Sequence, residues 1–435
     1  MPKPIQNFGR TWRFFPKQIA RPATVTELAQ LIIDSPKLRP MGSRHSWSQG
    51  IVTDETLVSL ENLNQIIDID FENKKVKTGA GIILKNLIAA LEQKGLAMAN
   101  LGSIHAQTLA GAICTGTHGT GKNFQCLAAQ VHSFEMLDGL GQNHVFEKDN
   151  PEFYALLTGM GSCGIIHTIT LDVVNCFQMH AITDTAGFDE VIENIEQYAS
   201  GYDHFKCWWL APSQKLILFK NNRTDAKRND SNFKRFVQDD LISVWMYRLL
   251  VWVGKLNRKK FIPAINRFLT KAGGKYHERI CKSVVGFLTP LPPVHRETEW
   301  AFDAKDARRL LQEYKNLLQQ SGGYYNFVQE VRFTKADDFW LSPAYKRDSI
   351  WLSMYNMDSK ENWEQQLHHF ETWAMQNGGR PHWGKDANWD KAYLERQYEK
   401  FSDFKLLIKK YDPHQKFLNK WNTFFGELLY SDSKP

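Results

Sequence analysis

The chain has 435 residues, 43% hydrophobic and 23% charged, a balance that supports two or three packed domains and excludes a disordered chain. The net charge is +7, but residues 255–282 alone carry +8 and the remainder sums to −1. A basic surface spread over the whole protein, the footprint of many nucleic-acid binders, is therefore excluded.

Six scattered cysteines (114, 126, 163, 176, 207 and 281) show neither CxxC nor zinc spacing. They read as buried free thiols in a reducing compartment. The N-terminal stretch lacks the apolar core of a secretory signal. The longest apolar run, 241–254, is interrupted by Arg248 and is too short to span a bilayer. These features predict a cytoplasmic protein, soluble or peripheral at a membrane.

The pattern predicts a helix over 24–33, capped by Thr24 or Thr26, with Leu28, Leu31 and Ile32 on one face. A strand from Leu38 then enters the glycine turn GSRHS. Short strands follow at 56–60, 65–70 and 75–78, and an amphipathic helix at 84–95 closes on Gly95. Residues 97–121 are rich in Gly, Ala, Ser and Thr, which lets backbone approach a ligand closely. Strands are expected at 130–138 and 164–174. Beyond about residue 178 the pattern gives a helix at 186–200 and sheet in WWLAP and KLILFK. It then gives strands at 297–301 and 325–333 around a helix at 303–320, and helices at 360–377 and 390–410. The class is mixed α and β.

Four segments carry chemistry. Gly42-Ser43-Arg44-His45-Ser46 exposes backbone N–H groups suited to a phosphate, although a plain loop with a packed or solvated His fits it equally. TGTHGTG (115–121) offers N–H groups and hydroxyls without steric cover. It is neither GxGxxG nor a P-loop, which disfavours a nicotinamide Rossmann unit and a nucleotide triphosphatase. In QEVRF (329–333), period two sets Val328, Glu330 and Arg332 on one face and Phe327, Val331 and Phe333 on the other. That pair can grip neighbouring hydroxyls or form an ion pair on a solvated face. RPHWGK (380–385) holds His, Trp and Lys on a backbone fixed by Pro and Gly.

Taken in this order the four segments resemble the aldonolactone oxidases, flavoproteins of the vanillyl-alcohol-oxidase type. That family includes L-gulono-1,4-lactone and D-arabinono-1,4-lactone oxidases and, more distantly, alditol oxidase. The likeness extends to ANLGS (99–103), EVRFTKADD (330–338), LSPAY (341–345), GGRPHWGK (378–385) and DPHQKF (412–417), and so covers nearly the whole chain.

The resemblance implies an α+β, two-domain FAD-binding fold of the PCMH/VAO type with a mixed α/β substrate (cap) domain. The FAD domain would span 1–178, with a tail from about 411–435 returning to it. The substrate domain would span 179–410, with a basic helical insertion at about 233–285. His45 matches the position that carries flavin covalently through its 8α-methyl group. Gly42, Ser43, Arg44 and Ser46 would cradle the pyrophosphate. Ser103, Thr108, Gly111, Thr115, Thr117, His118 and Gly119 fall in the second FAD segment, Gly161 and Ile166 in a third, and His382 joins the cofactor set.

Glu330 and Arg332 match the pair that binds substrate hydroxyls, and Lys385 matches the family's active-site lysine. The implied reaction takes a hydride from C2 of a sugar lactone to flavin N5 while the hydroxyl proton leaves. The 2-keto product can then form an ene-diol. Arg332 or Lys385 would stabilise developing negative charge. Glu330 is a candidate proton acceptor, with burial raising its pKa and the neighbouring arginine lowering it. Gly102 matches a position at the flavin's oxygen-reactive edge where a small residue leaves a path for O2, which implies an oxidase releasing H2O2.

Ser353 and Tyr355 stand where alditol oxidase has a His and a Thr, which favours a lactone over a polyol, as does ETEWA (297–301). An alditol oxidase and a non-catalytic basic membrane or polyanion adaptor on a flavoprotein fold remain the alternatives. In the basic segment, Phe261, Ile265, Phe268 and Leu269 fall at helical spacing among Lys and Arg. This predicts either a solvated cap-domain face or a peripheral contact with anionic membrane, and no nucleic-acid site.

Overall fold

The structure is a computed structural model that describes residues 4–230, 252, 257–289, 293–320, 325–357 and 363–425. Strands β1 (Ile5–Gln6) and β2 (Arg13–Phe14) form a short hairpin. β3 (Gln18–Ala20), β4 (Leu38–Met41) and β5 (Thr56–Ser59) form a parallel sheet in the order β3-β5-β4. Parallel neighbours need a crossover, and helix Val25–Asp34 supplies the one between β3 and β4. Thr24 caps it by accepting the Glu27 N–H, and Glu27 reaches back to the Ala23 N–H.

Next come β6 (Ile66–Asp70), β7 (Lys75–Gly79), β8 (Leu96–Ala97), β9 (Val131–Leu137), β10 (Asn143–Glu147), β11 (Ile165–Asp172) and β12 (Val174–Asn175). Five of these form an antiparallel sheet in the order β10-β9-β11-β7-β6, and β8 pairs with β12. Helices Leu84–Gln93 and Leu109–Cys114 join the same core through Leu87, Leu91, Leu109 and Ile113.

The third unit contains β13 (Gln178–Gly187), β14 (His204–Trp209), β15 (Lys215–Thr224), β16 (His277–Lys282), β17 (Arg296–Asp303), β18 (Gln329–Thr334), β19 (Ser349–Asn356) and β20 (Arg380–Pro381). They make one antiparallel sheet, ordered β16-β13-β15-β14-β18-β19-β17-β20. Side chains alternate between its faces. One face sets Trp209, Val331, Leu352, Trp300 and Phe302 under helices Ala307–Gln320 and Trp363–Gln376, where Tyr314 meets both Trp209 and Phe370. The opposite face carries Lys206, Trp208, Glu330, Arg332, Trp351, Ser353, Tyr355, Glu297 and Glu299, and it is turned toward the first 178 residues. A sheet sandwiched this way buries both faces, which is why a row of charges here costs desolvation and must be paired.

Three expectations are corrected. The helix expected at 186–200 is two pieces, Phe188–Glu193 and Ile195–Gly201, because β13 runs on to Gly187 and Asn194 turns back to cap Glu190. The one expected at 390–410 breaks into Lys391–Gln397 and Phe401–Tyr411, where Tyr398 is buried against Trp383 and beneath Arg380. Cys176 is exposed rather than buried; the other five cysteines are buried or half-buried, and all six are free.

Candidate active site

The GSRHS turn meets the start of the short helix that leads into TGTHGTG. Thr108 caps helix Leu109–Cys114, accepting the Gly111 N–H, and donates its own N–H to Ser43 Oγ at 3.2 Å. A Cβ on Gly42 or on Gly111 would lie 2.5 or 2.7 Å from Thr108 Oγ1, so both positions require glycine. Thr115 Oγ1 donates to the Gly111 carbonyl, which commits that hydroxyl to the helix. Arg44 holds a left-handed φ of 64°, which turns the chain sharply into His45.

Phe8 lies over the His45 ring with centroids 5.1 Å apart, and the Phe8 N–H donates to the Arg44 carbonyl. Asn7 holds the Ser46 carbonyl, while the Trp47 N–H donates to Gly384 at 2.7 Å. The GSRHS turn is thereby fixed to RPHWGK. His45 Nδ1 and Gln107 Oε1 are buried without hydrogen-bond partners among the described residues. Burial, helped by Arg44, pushes the His45 pKa down and keeps the ring neutral. Backbone N–H groups around close-packed glycines, with orphaned polar atoms beside them, fit an elongated polar cofactor such as FAD.

Gly102 lies under Thr117 and His118; a Cβ there would come within 3.3 Å of Thr117 Cγ2. Gly119 is closed to any side chain by Asn100 and Leu101. Gly161, at φ 64°, packs on Pro40, two residues before Gly42. Ile166 is a core residue of β11, opposite Met136.

Across from these turns sits the charged face of the large sheet. Glu330 is 3% exposed and Arg332 8%, so the expectation of a solvated ion pair is overturned. Arg332 pairs with Glu330 Oε2 and donates to Ser103 Oγ at 3.0 Å. Lys206, which no motif marked, stands opposite Arg332 in the β14–β18 register. Its Nζ lies 3.1 Å from Glu330 Oε1 and 3.4 Å from Ser103 Oγ. Trp208 Nε1 donates to Glu330 Oε1 at 2.8 Å, and the Tyr355 hydroxyl to Oε2 at 3.2 Å. Burial raises the Glu330 pKa, but Arg332 and Lys206 outweigh it and hold the carboxyl at about 2. Glu330 is therefore a permanent acceptor, and the role of proton acceptor left open for it is withdrawn.

Further along the face, Lys385 pairs with Glu297 and sits over the Trp47 ring at 4.6 Å. Burial raises the Glu299 pKa, and His118, Lys385 and Arg332 together hold it well below the carboxylate range. His118 Nε2 lies 3.6 Å from Glu299, its ring stacked on Trp351. His118, Glu299 and His382 bring their ligand atoms within 4.8 Å of one another. The Gly384 N–H, however, donates to His382 Nδ1, which puts that ring's proton on Nε2 and closes it to a metal. Burial holds His382 neutral, with a pKa of about 3.

In the basic segment, helix Arg258–Gly273 packs Ile262, Asn266 and Thr270 inward and leaves Lys259, Lys260, Arg267, Phe268 and Lys271 exposed. Apart from residue 252, the apolar run 241–254 lies outside the described residues, as do 233–240 of the expected insertion and 426–435 of the tail. Among the described residues, no helix is long and apolar enough to cross a membrane.

Comparison with known proteins agrees with this geometry. Residues 16–146 match the family pattern of an FAD binding domain, and residues 169–424 match that of D-arabinono-1,4-lactone oxidase. The chain is 29% identical to L-gulonolactone oxidase of Scyliorhinus torazame, over 97% of this chain and 98% of that one. It is 27% identical to L-gulono-1,4-lactone dehydrogenase of Mycobacterium tuberculosis (strain H37Rv), over 93% and 95%. Among solved structures, cholesterol oxidase from Brevibacterium sterolicum superposes with a TM-score of 0.81 at 14% identity, covering 97% of this chain and 96% of that one. At that identity the likeness shows the fold alone. With more than half of its length matched by one family pattern, the chain belongs to the D-arabinono-1,4-lactone oxidase family and carries its FAD-binding domain.

Proposed function

We propose that the protein is an FAD-dependent oxidase of sugar-1,4-lactones, acting at the C2 hydroxyl and releasing H2O2. The observation that carries this reading is the buried Ser103–Arg332–Glu330 group facing the glycine turns. FAD, held at the glycine-rich segments around Gly42 and Gly111, would supply the hydride acceptor for this chemistry.

The chain's own residues do the rest. Ser103 Oγ accepts from both Arg332 and Lys206, so its lone pairs are filled and its O–H points away from them, toward a ligand. Arg332 Nε is buried without a partner among the described residues and offers a second donor. Glu330, ionised throughout the working range, accepts a substrate hydroxyl and orients it. Gly102, where a side chain would crowd Thr117 and His118, supports access of O2.

The face sets three carboxylates (Glu297, Glu299, Glu330) against three cations (Lys206, Arg332, Lys385). A balanced, dry site favours a neutral lactone over its hydrolysed, anionic aldonate, whose charge would be buried unpaired. The test is a panel of gulono-, galactono- and arabinono-lactones, their aldonates and polyols, read by H2O2 release. Lactones are expected to turn over and aldonates not. Turnover of polyols alone, or no H2O2 from any lactone, overturns the reading.

His45 is proposed as the point of covalent flavin attachment, supported by its half-buried, neutral ring, whose Nδ1 has no hydrogen-bond partner among the described residues. Acid-precipitated wild-type protein is expected to stay yellow and His45→Ala to turn colourless. A colourless wild-type pellet rules out the bond.

A further inference from the structure

Glu330 is served by four donors. Trp208 Nε1 and Lys206 Nζ reach Oε1; Arg332 and the Tyr355 hydroxyl reach Oε2. A carboxylate has about four lone-pair sites, so none is left for a substrate hydroxyl until one donor gives way. The candidates differ in freedom. The indole of Trp208 and the phenol of Tyr355 are rigid rings on β14 and β19. Arg332 is a guanidinium two residues along β18 and holds Ser103 as well. Lys206 alone ends in an ammonium on a flexible four-carbon stem. It also has somewhere to go, because Ser103 Oγ is 3.4 Å away and the rings of Trp208 and Phe219 lie 5.0 and 5.3 Å from Nζ.

We propose that Lys206 is a positioning residue that holds Glu330 ready and yields its place on Oε1 to the substrate hydroxyl. Its ammonium then keeps Ser103 and turns from Glu330 to the substrate oxygen. This inference rests on the reading that Glu330 binds a substrate hydroxyl. It adds that the site is reset by an exchange of partners and that a second cation takes part.

The charged and titratable groups facing Glu330 are Lys206 on β14, Arg332 on β18 and Tyr355 on β19. Glu299 on β17 acts through Arg332. Without Lys206, one of the two cations that oppose burial is gone, and Glu330 protonates at a higher pH.

The experiment measures kcat and KM of the flavin-loaded enzyme for its best lactone from pH 4 to 9, in wild type, Lys206→Met and Lys206→Arg. Flavin content is read by absorbance. Lys206→Met is expected to keep its flavin and to raise KM on the order of 30-fold, the worth of a hydrogen bond to a charged group. Lys206→Arg, which keeps a cation, should recover most of the lost KM while a neutral side chain should not, a split by charge that a merely structural lysine would not give. A KM within threefold of wild type in Lys206→Met, or equal KM values in Lys206→Arg and Lys206→Met, overturns the proposal. Lys206→Gln, of similar length and neutral, carries the same test. A wild type that oxidises no lactone overturns the underlying reading instead, so the two failures are distinguishable.

Discussion

Glu330→Gln is expected to lower kcat/KM on the lactone by a factor on the order of 10³ while leaving flavin bound, because Glu330 touches none of the glycine turns. Glutamine keeps the shape but removes the charge. It also turns an amide NH2 toward donors that need an acceptor. Arg332 and Lys206 would then be buried without their counter-charge, and breaking a buried pair in this way costs about 3–5 kcal/mol. Steady-state H2O2 release and flavin absorbance measure the outcome. Turnover within tenfold of wild type removes Glu330 from the mechanism.

The same substitution has a signature in stability. Because Glu330 titrates below its ordinary value, at about 2, its contribution is fully present above pH ~4.5 and is lost as pH falls through 2. At neutral pH that contribution is about 3 kcal/mol. Unfolding of wild type and Glu330→Gln should therefore differ most near pH 6 and converge toward pH 2.

Arg39→Met is expected to cost at least about 3 kcal/mol of stability and to lower Tm by at least about 3 °C. Arg39 is 3% exposed, and burial pushes its pKa down to about 10. Its guanidinium donates to the carbonyls of Gly50, Met160 and Phe417 and reaches Gly161 at 3.4 Å. One side chain thus ties the loop after His45, the turn at Gly161 and the DPHQKF segment into one body. Methionine fills the volume but leaves these carbonyls dry and unpaired. Thermal unfolding followed by circular dichroism checks the stability, and flavin content should fall with it. A Tm within 2 °C of wild type refutes the argument.

How much of this was legible in the sequence depended on range. Gly42 and Gly119 lie in loops and Gly111 in a short helix, all within stretches whose small-residue composition announces them, and the helix at Val25–Asp34 follows from its cap and periodicity. Glu330 and Arg332 were placed on one face by period two alone. The reading stopped at what lay opposite, because strand pairing across more than a hundred residues leaves no local trace. Lys206 illustrates this. The pattern gives sheet only from WWLAP onward, whereas the strand begins at His204, and its alternation sets Lys206 and Trp208 together, away from Cys207 and Trp209. Nothing in it says that the neighbour is β18. Glu297 and Glu299 stood within ETEWA, but their burial follows from β17 lying between β19 and β20 in a covered sheet. The helices were misjudged where a buried ring or a strand overran the periodic pattern, at Tyr398 and at Gly187.

The DPHQKF turn has a consequence for the order of events during synthesis. Asp412 accepts the N–H groups of Lys416 and Phe417, and Lys416 Nζ donates to the Ile32 and Ile33 carbonyls, closing the end of helix Val25–Asp34. Leu38 in β4 donates its N–H to the Lys416 carbonyl, and Arg39 reaches Phe417. The strand leading into the GSRHS turn thus takes partners that lie nearly four hundred residues downstream. Translation proceeds from the N-terminus at about 5–20 residues per second. The first unit to leave the ribosome therefore waits some tens of seconds for the residues that complete it, and stable cofactor loading is a late event in the life of the nascent chain.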